Sequence, residues 1–263
     1  MASSTFFHVH QSGKFSTTKE QIAEAATKAR AHSSLYTGTE VITPHQAEGL
    51  KANGWGLVVG NKNPRDDCFI SFDETVWTKL HGATHQLSNK TYFTADGRAT
   101  APACGAFAVL KHKSTGQVMV VAVWHSPPSV ESARGMTGVA GRVRAWRDEH
   151  KGFKQHWNTL CRRYNTNTVL VCGDWNLDLK RPVLRTLVKA LQPGLVLAWS
   201  PKALSAIPSR VYKNHFPGTH GTRLIDATYL RGKVVAKSAP KILPRPFPVF
   251  DHNPYRELLG FNV

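Results

Sequence analysis

Short apolar runs separated by polar residues recur along the first half of the chain. Six of them lie between residues 35 and 125: LYTGTEV, GWGLVVG, DCFISF, TVWTKLH, GAFAVLKH and QVMVVAVWH. Runs of this length and composition indicate strands, and the Gly, Asn or Asp between several of them is typical of hairpins. The pattern therefore predicts antiparallel sheet in this half of the chain.

Three segments have the periodicity of helices. TTKEQIAEAATKARA repeats an apolar residue on every turn and carries Thr17 and Glu20 at the spacing of a capping box. A longer apolar stripe extends from Val139 to Tyr164, and RPVLRTLVKAL follows with Pro182 in a first turn, where proline is tolerated. These helices are too few to cross over after every strand. The pattern favours two packed sheets with helices outside them.

The strand pattern continues after the long helix. TVLVC, residues 168–172, has no charged position and indicates a strand that is buried on both faces. GLVLAWS, RLIDATYL and KVVAKS follow as further predicted strands. No repeat, linker or low-complexity tract interrupts the sequence, so we expect one domain that spans residues 1–263.

The charge of the chain narrows the choice of partner. Lys and Arg number 34 against 17 Asp and Glu, which leaves a net charge of +17. A field of this sign attracts polyanions, so nucleic acid is the expected partner and an anionic membrane surface ranks second. Charge alone does not separate a nuclease from a coat or packaging protein.

The remaining composition excludes several classes. No apolar run reaches membrane-spanning length, and the first residues lack the basic start and apolar core of a secretory signal. The four cysteines are not clustered as a zinc site or disulfide framework requires. We therefore expect a soluble, cytoplasmic protein with no membrane partner and no obligate protein partner.

Several predicted strands end in a polar residue that a buried position would not tolerate. A strand-terminal Asp often caps a turn and a single His is often structural, so each residue alone is a weak signal. Together, at one edge of a sheet, they would indicate a site. These residues are Glu40 in LYTGTE, His125 in VVAVWH, Asp174 and Asn176 in VLVCGDWN, Asp226 in RLID, and Asp251 with His252 after FPVF.

The ordered motifs TE, HSP, GDWN, ID and DHNP resemble the endonuclease/exonuclease/phosphatase superfamily, whose fold is that of deoxyribonuclease I. They extend from Glu40 to His252 in the order of the family, so the resemblance covers nearly the whole chain. It implies an α/β (α+β) fold, a two-layer β-sandwich with flanking helices. It also implies a metal-dependent hydrolase.

The resemblance further implies roles for the matching residues. The family has a metal-binding Glu after its second strand, which corresponds to Glu40 here. Its pattern makes Asp226 the partner that holds His252 as a general base. His125 matches a second histidine that is found in the deoxyribonuclease branch, where it would be the acid for the leaving oxygen.

The chemistry of the residues agrees with these roles. Hydrolysis of a phosphodiester needs an attacking water, neutralisation of the oxygen charge and protonation of the leaving oxygen. Carboxylates at strand ends suit a hard cation such as Mg²⁺ or Mn²⁺, and we expect Glu40, Asp251 and Asp174 to be its ligands. Asp174 and Asn176 lie two apart on a segment that we expect to be extended, so both side chains would point to one side. Asn176 would donate to a phosphate oxygen while Asp174 accepts from the water or holds a metal.

Two positions depart from the family pattern. The family usually has Asn at the end of its first strand, whereas FFHVHQ has His8 at the nearest ungapped position and Gln11 one register away. Phe250 occupies the place of the Ser that precedes the terminal Asp-His pair. The first departure bears on the outer sphere of the metal. Neither departure removes a residue whose charge the mechanism needs.

The sequence thus predicts a divalent-metal-dependent phosphodiesterase that hydrolyses nucleic acid, with DNA endonuclease as the leading hypothesis. Two alternatives stay open: a phosphatase for a small phosphoester or inositol phosphate, and a catalytically silent nucleic-acid-binding protein. The charge of +17 argues against the phosphatase, since a small substrate does not need a basic field over the whole molecule. The presence of the candidate acids, Asn176 and His252 argues against the silent protein.

Overall fold

The structure is a computed structural model that describes residues 4–13, 16–60, 63, 65–90, 99, 101–127, 138–207, 219–220, 223–243 and 252–262. The strands in these ranges are β1 Thr5–Ser12, β2 Leu35–Thr39, β3 Trp55–Val59, β4 Phe69–Asp73, β5 Trp77–Gln86, β6 Cys104–His112, β7 Val118–His125, β8 Val169–Asp174, β9 Val196–Leu197, β10 Asp226–Arg231, β11 Val234–Ala236, β12 Lys241–Ile242 and β13 Tyr255–Phe261. The helices are α1 Lys19–Arg30, α2 Pro44–Glu48, α3 Gly138–Arg163, α4 Pro182–Leu191 and α5 Pro201–Ser205. None of the helices described has the length and apolar character needed to cross a membrane.

The strands form two sheets. Sheet A has the order β11-β13-β1-β2-β4-β3, with β12 also paired to β13, and sheet B has the order β5-β6-β7-β8-β10-β9. Each sheet contains one parallel pair, β1 with β2 and β7 with β8, and the other pairs are antiparallel. A helix lies between the two strands of each parallel pair, α1 in sheet A and α3 in sheet B, because parallel neighbours need a crossover connection. The predicted sandwich with flanking helices is confirmed.

Three apolar clusters hold the layers together. One lies between the sheets and includes Phe72, Val121 and Leu170. A second joins α3 to the outer face of sheet B, where Phe153 and Trp157 are fully buried, each contributing about 1.5–3 kcal/mol. A third joins α1 and α2 to the outer face of sheet A. The result is a helix-sheet-sheet-helix stack.

The central strand β8 is buried on both faces, as its sequence predicts. Val169 and Val171 pack in the outer cluster, whereas Leu170 and Cys172 pack between the sheets. Gly173 follows with φ of +152°, and a Cβ at this position would collide with the carbonyl oxygen of the neighbouring strand β7. Only glycine therefore allows β8 to stay against β7 up to its last residue.

Some predicted boundaries were wrong. The cap of α1 is Thr18 with Gln21, whose side chains bond each other's backbone N–H at 3.3 and 3.0 Å, and it is not Thr17 with Glu20. Thr17 is buried instead, and its carbonyl accepts a hydrogen bond from Gln46. In GLVLAWS only Val196–Leu197 forms a strand.

One central strand was not predicted. β13 pairs with β1, β11 and β12 in sheet A, although its sequence YRELLGF contains two charged residues. The Glu257 side chain is accommodated because it is buried against His8, with 2.7 Å between Oε1 and Nδ1. The preceding FPVF segment, which includes Phe250, lies outside the described residues.

Candidate active site

Three of the predicted residues lie side by side at one end of sheet B. His125 pairs with Asp174 in the parallel register of β7 and β8, and Asp226 pairs with Asp174 in the antiparallel register of β10 and β8. Asp226 was predicted to end its strand, but it begins β10. Because β10 runs antiparallel to β8, the start of β10 reaches the same edge as the end of β8. Directly paired residues project to one face, so the three side chains meet.

The site is completed by sheet A. Glu40 follows β2 and His252 precedes β13, and both reach across to the row on sheet B. The sequence pattern had predicted that the residues share one sheet edge. They come instead from the facing edges of two sheets. Asp251 lies outside the described residues, so its role as a metal ligand stays a prediction.

His252 and Asp226 form a buried pair. The Nδ1 of His252 lies 2.7 Å from Oδ2 of Asp226, and the Ser12 hydroxyl donates to the other carboxylate oxygen at 2.5 Å. Burial opposes ionisation of Asp226, but His252 and the Ser12 hydrogen bond outweigh it and lower the pKa of Asp226 to about 2. The carboxylate is therefore ionised, and it fixes the ring of His252 with Nε2 pointing towards Asp174, 4.0 Å from Oδ2.

His125 has an equivalent partner in Asp67. The Nδ1 of His125 donates to Oδ2 of this fully buried carboxylate at 2.6 Å. Its Nε2 lies 3.7 Å from Oδ2 of Asp174 and 3.9 Å from Oε1 of Glu40. Burial disfavours the charged ring, but the carboxylates of Asp67, Asp174 and Glu40 raise the pKa of His125 to about 10. The ring is therefore an imidazolium at neutral pH.

Asp174 lies between the two rings. The same oxygen, Oδ2, faces Nε2 of His125 and Nε2 of His252 at 3.7 and 4.0 Å, which is too long for a hydrogen bond. Burial and the charge of Asp226 raise the pKa of Asp174 to about 6. A reacting group bound here would have a histidine on each side.

Asn176 is placed by a turn and not by an extended segment, so this part of the prediction was wrong. β8 ends at Asp174, and Asn176 has φ of +50°, a left-handed conformation that Asn tolerates better than most residues. Its backbone N–H donates to Oδ1 of Asp174 at 2.7 Å, and its side-chain amide donates to the carbonyl of Ser126 at 3.0 Å. Asn176 thus ties the GDWN turn to the end of β7.

Glu40 has the character of a cation ligand. Its backbone is also left-handed, with φ of +67°, its side chain is 14% exposed, and none of the described residues makes a hydrogen bond to its carboxylate. Burial raises the pKa of Glu40 to about 7. A largely desolvated carboxylate without a donor is costly unless a cation compensates it. The open oxygens of Glu40 and Asp174 therefore fit a divalent metal.

A second grouping of possible metal ligands is better explained as a hydrogen-bonded pair. Ligand atoms of Asp174, Asp226 and His252 lie within 4.8 Å of one another. Asp226 and His252 of this group already bond each other at 2.7 Å, and this bond fixes the orientation of the imidazole ring.

The two residues of the first-strand departure, His8 and Gln11, do not reach the site. His8 is buried between Glu257 and Thr37, with Nε2 2.8 Å from the Thr37 hydroxyl. Gln11 lies on the opposite face of β1, where its side-chain oxygen accepts from Tyr36 at 3.2 Å. Ser12, also on β1, does reach the site, through its hydrogen bond to the Asp226 carboxylate.

Sequence reasoning named Asp226 as the partner of His252, but it missed Asp67, the partner of His125, and Ser12, which bonds Asp226. The sequence did contain an indication of Asp67, because two adjacent acids, Asp66 and Asp67, are unexpected beside the apolar strand that follows them. It also contained an indication of Ser12, since His8, His10 and Ser12 recur at period two on one face of β1. His10 lies behind Asp226, with 3.8 Å from Nε2 to Oδ1, and burial lowers the pKa of His10 to about 3.

Several solved structures share this fold. An endonuclease/exonuclease/phosphatase family protein from Bacteroides thetaiotaomicron has a TM-score of 0.69 and 14% identity over 98% of this chain and 95% of that chain. A mannosyl-6-phosphatase from the same organism has a TM-score of 0.68 and 15% identity over 97% and 99% of the two chains. TDP2 from D. rerio, in complex with a single-strand DNA product, has a TM-score of 0.61 and 12% identity over 98% and 100%.

No family model and no curated protein matches the sequence. At the identities of the solved structures, the likeness establishes the fold and leaves the substrate open. The chain has the deoxyribonuclease I-like fold of the endonuclease/exonuclease/phosphatase proteins.

Proposed function

We propose that this chain belongs to the endonuclease/exonuclease/phosphatase superfamily and is a divalent-metal-dependent phosphodiesterase that cleaves nucleic acid, specifically a DNA endonuclease. One observation carries the proposal. Two imidazoles, each held through Nδ1 by a buried carboxylate, present Nε2 on either side of Asp174 Oδ2 at 3.7 and 4.0 Å. Such a pair suits a reaction that removes a proton on one side of a phosphate and delivers one on the other.

His252 is the proposed base. Asp226 is ionised and accepts the N–H of Nδ1, which leaves the lone pair of Nε2 free to take a proton from the attacking water. The same carboxylate stabilises the imidazolium that forms. Ser12 holds Asp226 in this orientation through its hydrogen bond of 2.5 Å.

His125 is the proposed acid. With Asp67 on Nδ1, the charged ring carries a proton on Nε2 that it can donate to the leaving oxygen. The described neighbours of Nε2 are Asp174 and Glu40, and neither is within hydrogen-bond distance, so this N–H is available to a substrate. Asn176 fixes the turn that presents Asp174.

Glu40 and Asp174 are the proposed metal ligands among the described residues. Asp251, which lies outside them, is the third proposed ligand. A bound Mg²⁺ or Mn²⁺ would neutralise charge on the phosphate oxygens. The half-buried carboxylate of Glu40, which accepts no hydrogen bond from a described residue, supports this assignment.

The choice of nucleic acid over a small phosphoester is supported by charge. Solved structures of this fold include both a mannosyl-6-phosphatase and a protein in complex with a DNA product, so the fold alone does not decide. A net charge of +17 favours a polyanionic substrate.

Nicking of supercoiled plasmid in Mg²⁺, measured beside phosphate release from mannose 6-phosphate and inositol phosphates, tests the proposal. We expect nicking without phosphate release. Phosphate release without nicking would support the phosphatase alternative. DNA binding with no hydrolysis of any of these substrates would identify a silent binding protein.

A further inference from the structure

A groove of about 1060 Å³ lies at the end of sheet B that is opposite to the active site. Its walls are α3, the turn between β6 and β7, the loop before β8 and the turn after β10. Thr168, directly before β8, lines the groove, and Asp174, six positions later at the end of β8, lies in the active site. At about 3.3 Å per residue, the two places are roughly 20 Å apart.

The groove is lined with positive charge and with no acid. Its lining includes no Asp or Glu, and no carboxylate among the described residues forms an ion pair with its cations. The other lining side chains with polar groups are mainly amides and hydroxyls, which can donate hydrogen bonds. The cations are Lys151, Lys154, Arg162, Arg231 and Lys233.

Arg231 is fixed in place before any ligand arrives. Its guanidinium lies 4.5 Å from the centre of the Trp157 ring. Its Nε donates to the carbonyl of Asn167 at 3.2 Å, and one terminal nitrogen donates to Sγ of Cys161 at 3.4 Å. A cation held in this way loses little conformational entropy on binding. The floor of the groove is thus a preorganised positive charge.

We propose that this groove binds the sugar-phosphate backbone of nucleic acid. The cations come from a helix and from a strand turn on different walls, which suits a ligand that carries charge along its length. Trp157 is fully buried, so the groove offers no aromatic platform on which a base would stack. The contacts would therefore add affinity without reading sequence.

This inference rests on the proposed function only in its choice of polymer. A strand that passes from the groove to the active site must cover roughly 20 Å, which corresponds to at least about six nucleotides at 3.4 Å each. Oligonucleotides shorter than this reach one place or the other. Longer substrates would reach both, so the groove would lower KM for long substrates and leave kcat unchanged.

The test is the salt dependence of DNA binding, measured by fluorescence anisotropy in EDTA with a duplex of about 30 base pairs. The variant Lys151→Gln/Lys233→Gln removes two exposed charges from the groove. Its matched control is Lys28→Gln/Lys51→Gln, which removes two exposed lysines that already pair with Glu24 and Glu48 at 2.7 Å. Each phosphate contact contributes about 0.9 to the slope of log K against log salt.

We expect the groove variant to lose a slope of about 1.8 and at least about tenfold in affinity in low salt, and the control to bind nearly as wild type. Equal behaviour of the two variants overturns the inference, as does a wild-type protein that does not bind the duplex. Loss of binding to vesicles with anionic lipid but not to DNA would instead indicate a membrane contact and also overturns it. Hydrolysis of a small phosphodiester by the same variants reports separately on the proposed function, because a small substrate in the active site is too short to contact the groove as well.

Discussion

The two ends of sheet B use charge in opposite ways. At one end, β7 and β8 deliver His125 and Asp174 into a buried cluster in which each imidazole is paired with a carboxylate. At the other end, the same strands begin beside a groove whose lining, among the described residues, contains cations and no acid. A proton-transfer site needs charges that are desolvated and fixed, whereas a binding surface needs charges that stay hydrated until phosphates replace their counterions. The comparison teaches that catalysis and affinity should be separable by mutation.

Removal of the metal should separate cleavage from DNA binding most strongly. Chelation by EDTA is expected to abolish cleavage, because the carboxylates of Glu40 and Asp174 would then have no cation. Binding of DNA should persist, since lysine and arginine contacts need no metal. Parallel measurement of cleavage and anisotropy checks both statements, and full activity in excess EDTA would exclude the proposed metal dependence.

Loss of the central groups should follow in size. We expect Asp174→Asn and His252→Ala each to reduce kcat by at least about 100-fold, the scale of a positioned acid or base, with Kd for DNA nearly unchanged. Asp178→Asn is the control, because Asp178 lies in the same loop but accepts backbone N–H groups of Lys180 and Leu224 at 3.2 Å.

The control variant should retain activity. If all three variants cleave DNA at the same rate in single-turnover assays, the site is assigned to the wrong residues. If Asp178→Asn is also inactive, the loss reflects the fold of the loop.

His125 should show an effect that depends on the leaving group. His125→Ala is expected to slow DNA cleavage by about 100-fold, because the leaving oxygen then departs without a proton. A phosphodiester with a p-nitrophenol leaving group barely needs that proton, so its hydrolysis should stay close to the wild-type rate. Asp67→Asn should reproduce this pattern in weaker form, since Asp67 acts through the ring of His125. Equal loss on both substrates would mean that His125 is not the acid.

The smallest expected effect concerns α3, the helix that links the two ends. Its His150 is buried among Trp124, Trp146 and Trp175, and its Nδ1 accepts from Gln192 at 2.7 Å. Burial, with lesser help from the charge of a nearby groove lysine, lowers the pKa of His150 to about 3 from 6.5. Between these pKa values the unfolded chain binds a proton at His150 and the folded chain does not. The free energy of unfolding is therefore unaffected by this group above pH 6.5 and decreases as the pH falls from 6.5 towards 3.

Urea unfolding of wild type and His150→Gln at pH 7.5 and pH 5.5 measures this effect. Between pH 7.5 and pH 5.5 the free energy of unfolding of wild type should fall by about 1.4 kcal/mol more than that of the variant. His32→Gln, at an exposed histidine, is the control and should follow wild type. Parallel pH dependence of His150→Gln and wild type would show that His150 is not the group responsible.

Local patterns predicted much of this architecture. Strand β8 corresponds to the apolar run 168–172, and helix α3 corresponds to the stripe from Val139 to Tyr164. Strands β6 and β7 correspond to the strand-like segments 105–112 and 117–125. The ordered motifs also directed attention to the residues that meet at the site. These predictions succeeded because periodicity and turn chemistry depend on neighbours in the sequence.

Only the tertiary structure decided which residues act together. Asp67 holds His125 across 58 positions and Ser12 holds Asp226 across 214, and no local pattern encodes such pairs. The strand β13 was hidden by its charged residues, because the partner that accommodates Glu257 is His8 at the far end of the chain. The groove draws its cations from residues 151 to 233. The sequence by itself therefore determined most of the elements and the candidate chemistry, while the pairing of distant strands determined the geometry. The reason is that hydrogen bonds and burial act only between groups that the fold brings within a few ångströms.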